Sequence, residues 1–396
     1  MKWHTLPLKQ LAEFDPPPPR KQLLETNQVV AFMPMASVIA ENSVATTELE
    51  RPSTEVLAGY TFFQKKDVLV AKITPCFENG KIAIADISHE CGFGTTEFHV
   101  IRVESNLLDA KYLTHFLRQA WVIAEGGRKM TGSAGQRRVP RHFLEGLDIP
   151  TPTIEEQRRI AAILDQAEAL RAKRRQALAK LDTLTQSLFL EMFGDPSTNP
   201  KKWHIRRLDE LCLEISDIDH KMPLAVDEGL PFISAKDLLD DGTLSFENVK
   251  KISQEDFDRL ARKSRPKRGD IIYSRIGVNL GKARLVEVDF DFLASYSCCT
   301  VRPNRELVNR RFLCTFLDSP FALTQAKKGV KAIAVPDLGL GEIKNFKVPV
   351  PTMDIQDEFA RQIKSLSALR TMYRASASHV TKSFTALQHR AFRGEL

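Results

Sequence analysis

Residues 153–193, TIEEQRRIAAILDQAEALRAKRRQALAKLDTLTQSLFLEMF, hold no proline or glycine. Thr153 suits an N-cap, and Glu156 three residues on completes a T-x-x-E capping box. The apolar repeat that follows is Ile160, Ile163, Ala167, Leu170, Arg174, Ala177, Leu181, Leu184 and Leu188. Its steps alternate three and four with one charged interruption, the pattern of a coiled-coil seam rather than a broad globular face. Gly194-Asp195-Pro196 closes the stretch with a glycine in the C′ region and a proline beyond. At about 1.5 Å per residue this predicts a rod of roughly 60 Å. A seam of that length needs a partner.

The partner stands near the end of the chain. Residues 353–392 repeat the design, with the seam Phe359, Ile363, Leu366, Arg370, Tyr373, Ala377, Val380, Phe384, Leu387 and Ala391. Val348-Pro349-Val350-Pro351 leads into it as Ile149-Pro150-Thr151-Pro152 leads into the first. Each rod closes a mixed segment, and the two segments share landmarks in one order. Trp3-His4 with Leu8 and Leu11 returns as Trp203-His204 with Leu208 and Leu211. The strand Lys65 to Ile73 returns as Arg268 to Ile276, and Lys72-Ile73 before Gly80-Lys81 becomes Arg275-Ile276 before Gly281-Lys282. Tyr112, Leu113, Phe116 and Leu117 on a helix read from Leu108 to Ala124 return as Phe312, Leu313, Phe316 and Leu317, and Val139-Pro140 returns as Val335-Pro336. Lys81 to Ala85 and Phe98 to Val103 read as further strands.

One mixed module is thus used twice. The expected fold class is α+β: two tandem mixed α/β domains joined by two long antiparallel coiled-coil helices about a pseudo-two-fold axis. The expected boundaries are 1–152 for the first domain, 153–195 for the central helix, 196–351 for the second domain and 352–396 for the distal helix. The second rod starts at the second module, so it buries its seam on the first only by running back along it. Two different readers about such an axis suit a duplex target with two different half-sites.

Composition narrows the class. The 396 residues suggest two or three domains, and 43% apolar with 27% charged residues is ordinary for a globular chain. No apolar run reaches the eighteen or so residues of a membrane span, and the N-terminus lacks an h-region, so a cytoplasmic, nucleoid-associated protein is expected. Six scattered cysteines without a C-x-x-C pair indicate neither a disulfide framework nor a zinc site. The formal charge of +7 leans towards a polyanion.

With the duplicated modules, the Pro150-Thr151-Pro152 and Pro349-Val350-Pro351 leads, and Glu156-Gln157 and Gln356 just inside the rods, the chain resembles the specificity subunit of a type I restriction–modification system. One departure is Asp354-Ile355-Gln356-Asp357, where the family often shows a Glu-Gln pair. The resemblance implies that each module is a target recognition domain reading half of a bipartite site in double-stranded DNA. It implies that the helices set the spacing and dock two methyltransferase subunits that methylate adenine, with a restriction and translocation subunit as a further partner. It implies no catalysis by this chain and no cofactor on it, S-adenosylmethionine belonging to the partner.

Motifs for a self-sufficient enzyme are broken. Gly92-Phe93-Gly94 is a fragment of a cofactor loop, and Asp15-Pro16-Pro17-Pro18 has proline where a methyltransferase needs a stacking aromatic. Gly277 to Ala283 is one residue short of a phosphate loop, and Pro336-Asp337 with Glu342-Ile343-Lys344 is too cramped for a nuclease set. Cys298-Cys299 reads as part of a strand. The alternatives to the recognition subunit are a methyltransferase or nuclease using one module, which methyl transfer by the chain alone would reveal, and a nucleic-acid-binding helical scaffold, which equal affinity for unrelated duplexes would reveal.

The candidate DNA contacts follow from residue chemistry. A loop from Gly126 to Arg141 offers Arg128 and Lys129 to phosphates and Gln136 and Arg137 to bases, with Arg138 and Arg141 beside them. Lys328 and Lys331 occupy the equivalent segment of the second module. The Gly-Lys turns add Lys72, Asn79 and Lys81 in the first module and Arg275, Asn279 and Lys282 in the second, where hairpin structure is the competing reading. Arg171-Ala172-Lys173-Arg174-Arg175 reads as a solvated helix face before a phosphate contact.

Overall fold

The computed structural model describes residues 3–47, 49–133, 135–330 and 336–396, so Lys2, Ala134, Lys331 and Val335 lie outside the described residues. It has two compact units: Met1–Gln176 with Arg374–Leu396, and Ala177–Tyr373. Both are α+β.

In the first unit, Val68–Ala71 is buried at every position because each of its faces meets a different core. Val68 and Val70, with Ile82 and Ile84, pack on Tyr112, Leu113 and Phe116. Leu69 and Ala71 face Met33, Phe63 and Phe98. This period of two explains an apolar run that would otherwise suit a helix. The strand order is Ala12–Phe14, Phe98–Val103, Val68–Ala71, Ile82–Ala85 and Val44–Ala45, antiparallel except for the last pair. A second sheet orders Glu50–Pro52, Val29–Met33, Cys91–Gly94 and Thr61–Gln64. Gly92 and Gly94 are therefore strand residues: a Cβ on Gly92 would stand 2.8 Å from the Ala31 carbonyl oxygen.

The second unit keeps the plan with fewer strands among the described residues. Its sheets run Cys212–Ser216, Cys298–Pro303, Ile271–Ser274, Ala283–Leu285, and Lys250–Ile252, Leu230–Ile233, Leu293–Ala294. Cys298 and Cys299 stand in a strand and point into different cores, and burial pushes the Cys298 thiol up to about 12. In both units the first and last strands of the module pair with each other. Thr5–Pro7 pairs with Asp148–Pro150, and His204–Arg207 with Lys347–Val350. Each module leaves its sheet where it entered.

The helix read from Leu108 to Ala124 is two helices, Ala110–Leu117 and Ala120–Lys129. No glycine or proline marks the break; the backbone is extended at Gln119, beside Arg118, whose guanidinium bonds to Glu168 and the Ala40 carbonyl. The second module does carry a signal at the same place, since Ser319 caps Pro320–Gly329 with proline in the first turn. The expected loop from Gly126 to Arg141 is corrected as well. Its start lies in Ala120–Lys129, its middle is a hairpin of Thr131–Ser133 with Gln136–Arg138, and Arg141 opens the short helix Arg141–Glu145. Gly126 is glycine because a Cβ there would stand 2.4 Å from the Phe77 ring.

The central helix spans Ile154–Phe193 and the distal helix Met353–Ala391. Thr153 Oγ1 accepts from the Glu156 N–H at 3.3 Å, half of the capping box, while the Glu156 carboxylate turns to Arg159. Gly194 ends the central helix at φ +77°, donating its N–H to the Leu190 carbonyl. Within the first unit the helix segments run antiparallel: Arg159 reaches the Leu396 carbonyl, and Arg171 lies over the Phe384 ring. Within the second, Phe189 and Phe193 meet Phe359 with ring centroids 5.7 and 5.0 Å apart.

On the distal helix Phe359, Phe384 and Ala391 are buried, and Ile363, Leu366, Arg370, Tyr373, Ala377, Val380 and Leu387 are half-buried. The central seam is corrected. Ile160 is buried and Ile163, Ala167, Arg174, Ala177, Leu181 and Leu188 are half-buried, but Leu170 is 46% and Leu184 44% exposed. The covered stripe lies one residue on, through Leu164, Glu168, Arg171 and Leu178. Two of those positions are charged, so an apolar pattern steps around them onto the nearby leucines. A helix turns every 3.6 residues, and a strict 3.5 repeat drifts off its face.

Two glutamines fasten these helices to their modules. Gln157 accepts from the Asp109 N–H at 2.9 Å and donates to the Leu107 and Pro152 carbonyls. Gln356 accepts from the Asn309 N–H at 2.8 Å and donates to the Pro351 carbonyl. Asp109 and Asn309 cap the next helix in turn. The first unit adds an ionic latch. His115 Nε2–H and the Lys111 ammonium donate to Asp165 at 2.8 and 2.7 Å, and Glu168 pairs with Arg118. Burial pushes the Asp165 carboxyl up, but its bonds to His115 and Lys111 hold it below the ordinary carboxylate value. A group lowered on folding contributes stability above its unfolded pKa and loses it as pH falls through the folded one. Hydrogen exchange in 110–117 and 161–170 should therefore quicken below about pH 4, and Asp165→Asn should flatten that dependence. An unchanged profile in the variant would assign the acid sensitivity elsewhere.

Candidate nucleic-acid interface

In the first module the two sequence signals, some sixty residues apart, meet at one tip, and the second module joins the corresponding backbone segments. In the first module Ile73 bridges Arg138, Thr74 N–H donates to the Arg137 carbonyl, and Val139 N–H donates to the Lys72 carbonyl. In the second, Ile276 bridges Asp337, Gly277 N–H donates to the Pro336 carbonyl, and Leu338 N–H donates to the Arg275 carbonyl. The Gly-Lys turn and the segment before the proline lead thus form one surface in each module.

The first tip is an exposed hairpin. Ser133 faces Gln136 in register, and Gly132, at φ +135°, has no room for a Cβ, which would lie 2.5 Å from the Gln136 carbonyl oxygen. Gln136 is exposed and free of side-chain bonds among the described residues. Arg137 pairs with Glu78 at 3.0 Å, and Arg138 forks onto both Glu97 oxygens at 2.7 and 2.9 Å. The fork on Arg138 holds the Glu97 carboxyl below its ordinary value. Lys72 is half-buried beside Glu97, and Asn79 is exposed.

Arg128 and Lys129 share Glu125 at the C-terminal end of their helix, with Lys129 over the Phe143 ring. Arg141 pairs with Glu145 and lies over Phe14. These cations are paired with carboxylates that the sequence reading passed over, chiefly Glu78, Glu97 and Glu125. Exposed pairs of this kind contribute little stability, which leaves the guanidinium edges available to a stronger anion.

The second tip is built differently. Arg275 is corrected from a DNA contact to an internal anchor. Its side chain is 5% exposed, pairing with Asp217 at 3.0 Å and Asp337 at 2.9 Å and donating to the Leu338 carbonyl. That pairing also removes Asp337 from any nuclease set. Asn279 donates to the Ala235 carbonyl and Lys282 pairs with Asp240, so both tie the turn down, as Lys81 does through the Met35 carbonyl. Next to Asn279 in the turn, Val278 is fully exposed. Lys328 is exposed in the last turn of its helix, and Lys331 lies outside the described residues.

No helix among the described residues is long and apolar enough to cross a membrane. The family model for the type I restriction modification DNA specificity domain matches twice, over residues 2–180 and 200–374. The EcoAI type I restriction enzyme specificity subunit of Escherichia coli is 37% identical over 187 residues, 46% of this chain and 31% of that protein. The EcoBI specificity subunit of the same species is 24% identical over 299 residues, 67% of this chain and 62% of that protein. The chain thus spans about a third of EcoAI and under two thirds of EcoBI.

Two solved structures share the fold at low identity. One, from a study of complex assembly and conformational transition of the type I system, has a TM-score of 0.61 at 17% identity, covering 100% of this chain and 98% of that one. The type I S subunit from M. genitalium has a TM-score of 0.55 at 16% identity, covering 99% and 96%. Two tandem matches over most of the chain, on a duplicated module with the corresponding fold, decide the matter: the chain belongs to the type I restriction modification DNA specificity domain family.

Proposed function

We propose that this chain is the non-catalytic DNA-recognition subunit of a type I restriction–modification complex. Each module reads one half of a bipartite duplex target. The long helices set the distance between the halves and dock two methyltransferase subunits, which carry S-adenosylmethionine and methylate adenine; a restriction and translocation subunit can join them. One observation carries the reading: each module closes its first strand on its last and presents a single tip, where a turn meets the segment ahead of the last short helix, a segment that is basic in the first module. Such a module can vary its tip without disturbing the helix it stands on, as independent readers require.

The test exchanges residues 1–152 for the equivalent module of a relative and maps methylated adenines across a genome. The expected result is a change in one half of the methylated motif, with the other half and the spacing kept. A motif changed in both halves, or in neither, would overturn the reading.

A further inference from the structure

The basic stretch of the central helix has no place in either tip, yet a cleft joins its first residue to one of them. In the first unit a cavity of about 730 Å³ lies among the turn at Glu78, Asn79 and Gly80, the helix Ala120–Lys129 and the long-helix segments. Arg118, Arg128, Arg137 and Arg171 line it, against Glu78 and Glu168. Three of these arginines have carboxylate partners: Arg118 with Glu168 at 2.9 Å, Arg128 with Glu125 at 2.8 Å, and Arg137 with Glu78 at 3.0 Å.

Arg171 has no ion pair among the described residues. Its guanidinium lies 4.4 Å from the centroid of the Phe384 ring, and its Nε is enclosed without a hydrogen-bond partner. Burial, and then the neighbouring Arg175, lower its pKa. Glu168 and Glu41 act on this half-buried cation only from beyond ion-pair distance and leave its Nε unsatisfied, and an oxyanion entering the cleft would supply the missing partner.

Counting from Gln157 and Gln356, the equivalent residue in the distal helix is Arg370, which lines a cavity of about 620 Å³ in the second unit. That wall carries five carboxylates against three arginines, so it disfavours the anion that the first cleft attracts.

We propose that the first cleft binds a phosphate of the DNA backbone beside the first half-site, with Arg171 as its inner contact. The site rests on the recognition function proposed above. A duplex is the favoured source of the phosphate because Arg128 and Arg137 on the rim are 74% and 46% exposed and continue into the reading hairpin. A polyanion can follow such a row of charges, whereas a single free anion uses one of them. The central helix then both spaces the modules and fixes the duplex against the first of them.

The test uses the full chain assembled with its methyltransferase partner, on cognate and scrambled duplexes across a salt series. Arg171→Gln should weaken both duplexes by the same factor, roughly tenfold, and reduce the salt slope by about one unit. Arg171→Met, which keeps the stem over Phe384, should lose the same unit, and Arg370→Gln should keep it. A methylphosphonate scan should then find one phosphate next to the first half-site whose neutralisation weakens wild type but not Arg171→Met.

Unchanged slopes in both Arg171 variants would overturn the site. So would unchanged slopes accompanied by Arg171-dependent binding of inorganic phosphate, meaning a free anion, or by loss of the methyltransferase, meaning a partner carboxylate. In each of those cases the recognition function stands if wild type still separates cognate from scrambled duplex; if it does not, both fall.

Discussion

Leu164→Asp should destabilise the first unit by at least about 3 kcal/mol, while Leu170→Asp, six residues along the same helix, should stay within about 0.5 kcal/mol. Leu164 is fully buried in a core shared with Phe384, Ala391 and Phe392 of the distal helix. A carboxylate there loses its water and meets only hydrocarbon, and the leucine volume it leaves is not refilled. Leu170 is 46% exposed and lends its side chain to solvent. Hydrogen exchange reads the difference where it arises. Amides in 154–176 and 374–396 should exchange about a hundredfold faster in Leu164→Asp, since 1.4 kcal/mol is a factor of ten, and at the wild-type rate in Leu170→Asp. Equal effects would mean that the covered stripe runs through Leu170 after all.

A second large effect is expected at Arg275. Arg275→Ala leaves Asp217, itself buried, without its cation, and the Leu338 carbonyl without its donor. Removing one partner of a buried pair costs about 3–5 kcal/mol, because the stranded charge is the main penalty. The paired change Arg275→Met with Asp217→Leu removes both charges and should recover most of the loss. Lys72, at the matching place in the first module, is half-buried with no ion pair among the described residues, and Lys72→Ala should change stability little. Urea titration of the full chain gives the comparison. A stable Arg275→Ala that had lost affinity for duplex DNA would return the residue to the reading surface.

Lys72 and Arg275 mark the limit of reading by alignment. Both follow the same strand and precede the same Gly-Lys turn, so sequence assigns them one role. What separates them is Asp217, an acid far along the chain that the second module folds against Arg275. Side-chain charge is a property of a residue, but its availability belongs to the surroundings. The same holds at the first tip, where Glu78 and Glu97, unremarkable in sequence, aim Arg137 and Arg138.

The sequence by itself determined the duplication, the two long helices, and the buried strands Val68–Ala71, Ile82–Ala85 and Phe98–Val103. Those features depend on periodicity, and periodicity is local. It also placed Gln157 and Gln356 inside the helix starts, though not their bonds to Asp109 and Asn309.

Tertiary structure alone decided three things. It broke the expected helix after Leu117, where the Arg118 guanidinium bonds to both Glu168 and the Ala40 carbonyl. It moved the covered face of the central helix onto Glu168 and Arg171, polar residues that an apolar pattern rejects and that packing accepts, Glu168 with an ion pair and Arg171 over an aromatic ring. It brought turn and hairpin together into one tip. Each outcome depends on a contact between residues distant in the chain, and a charged group reveals whether it is a contact surface or a core member only once that partner is in place.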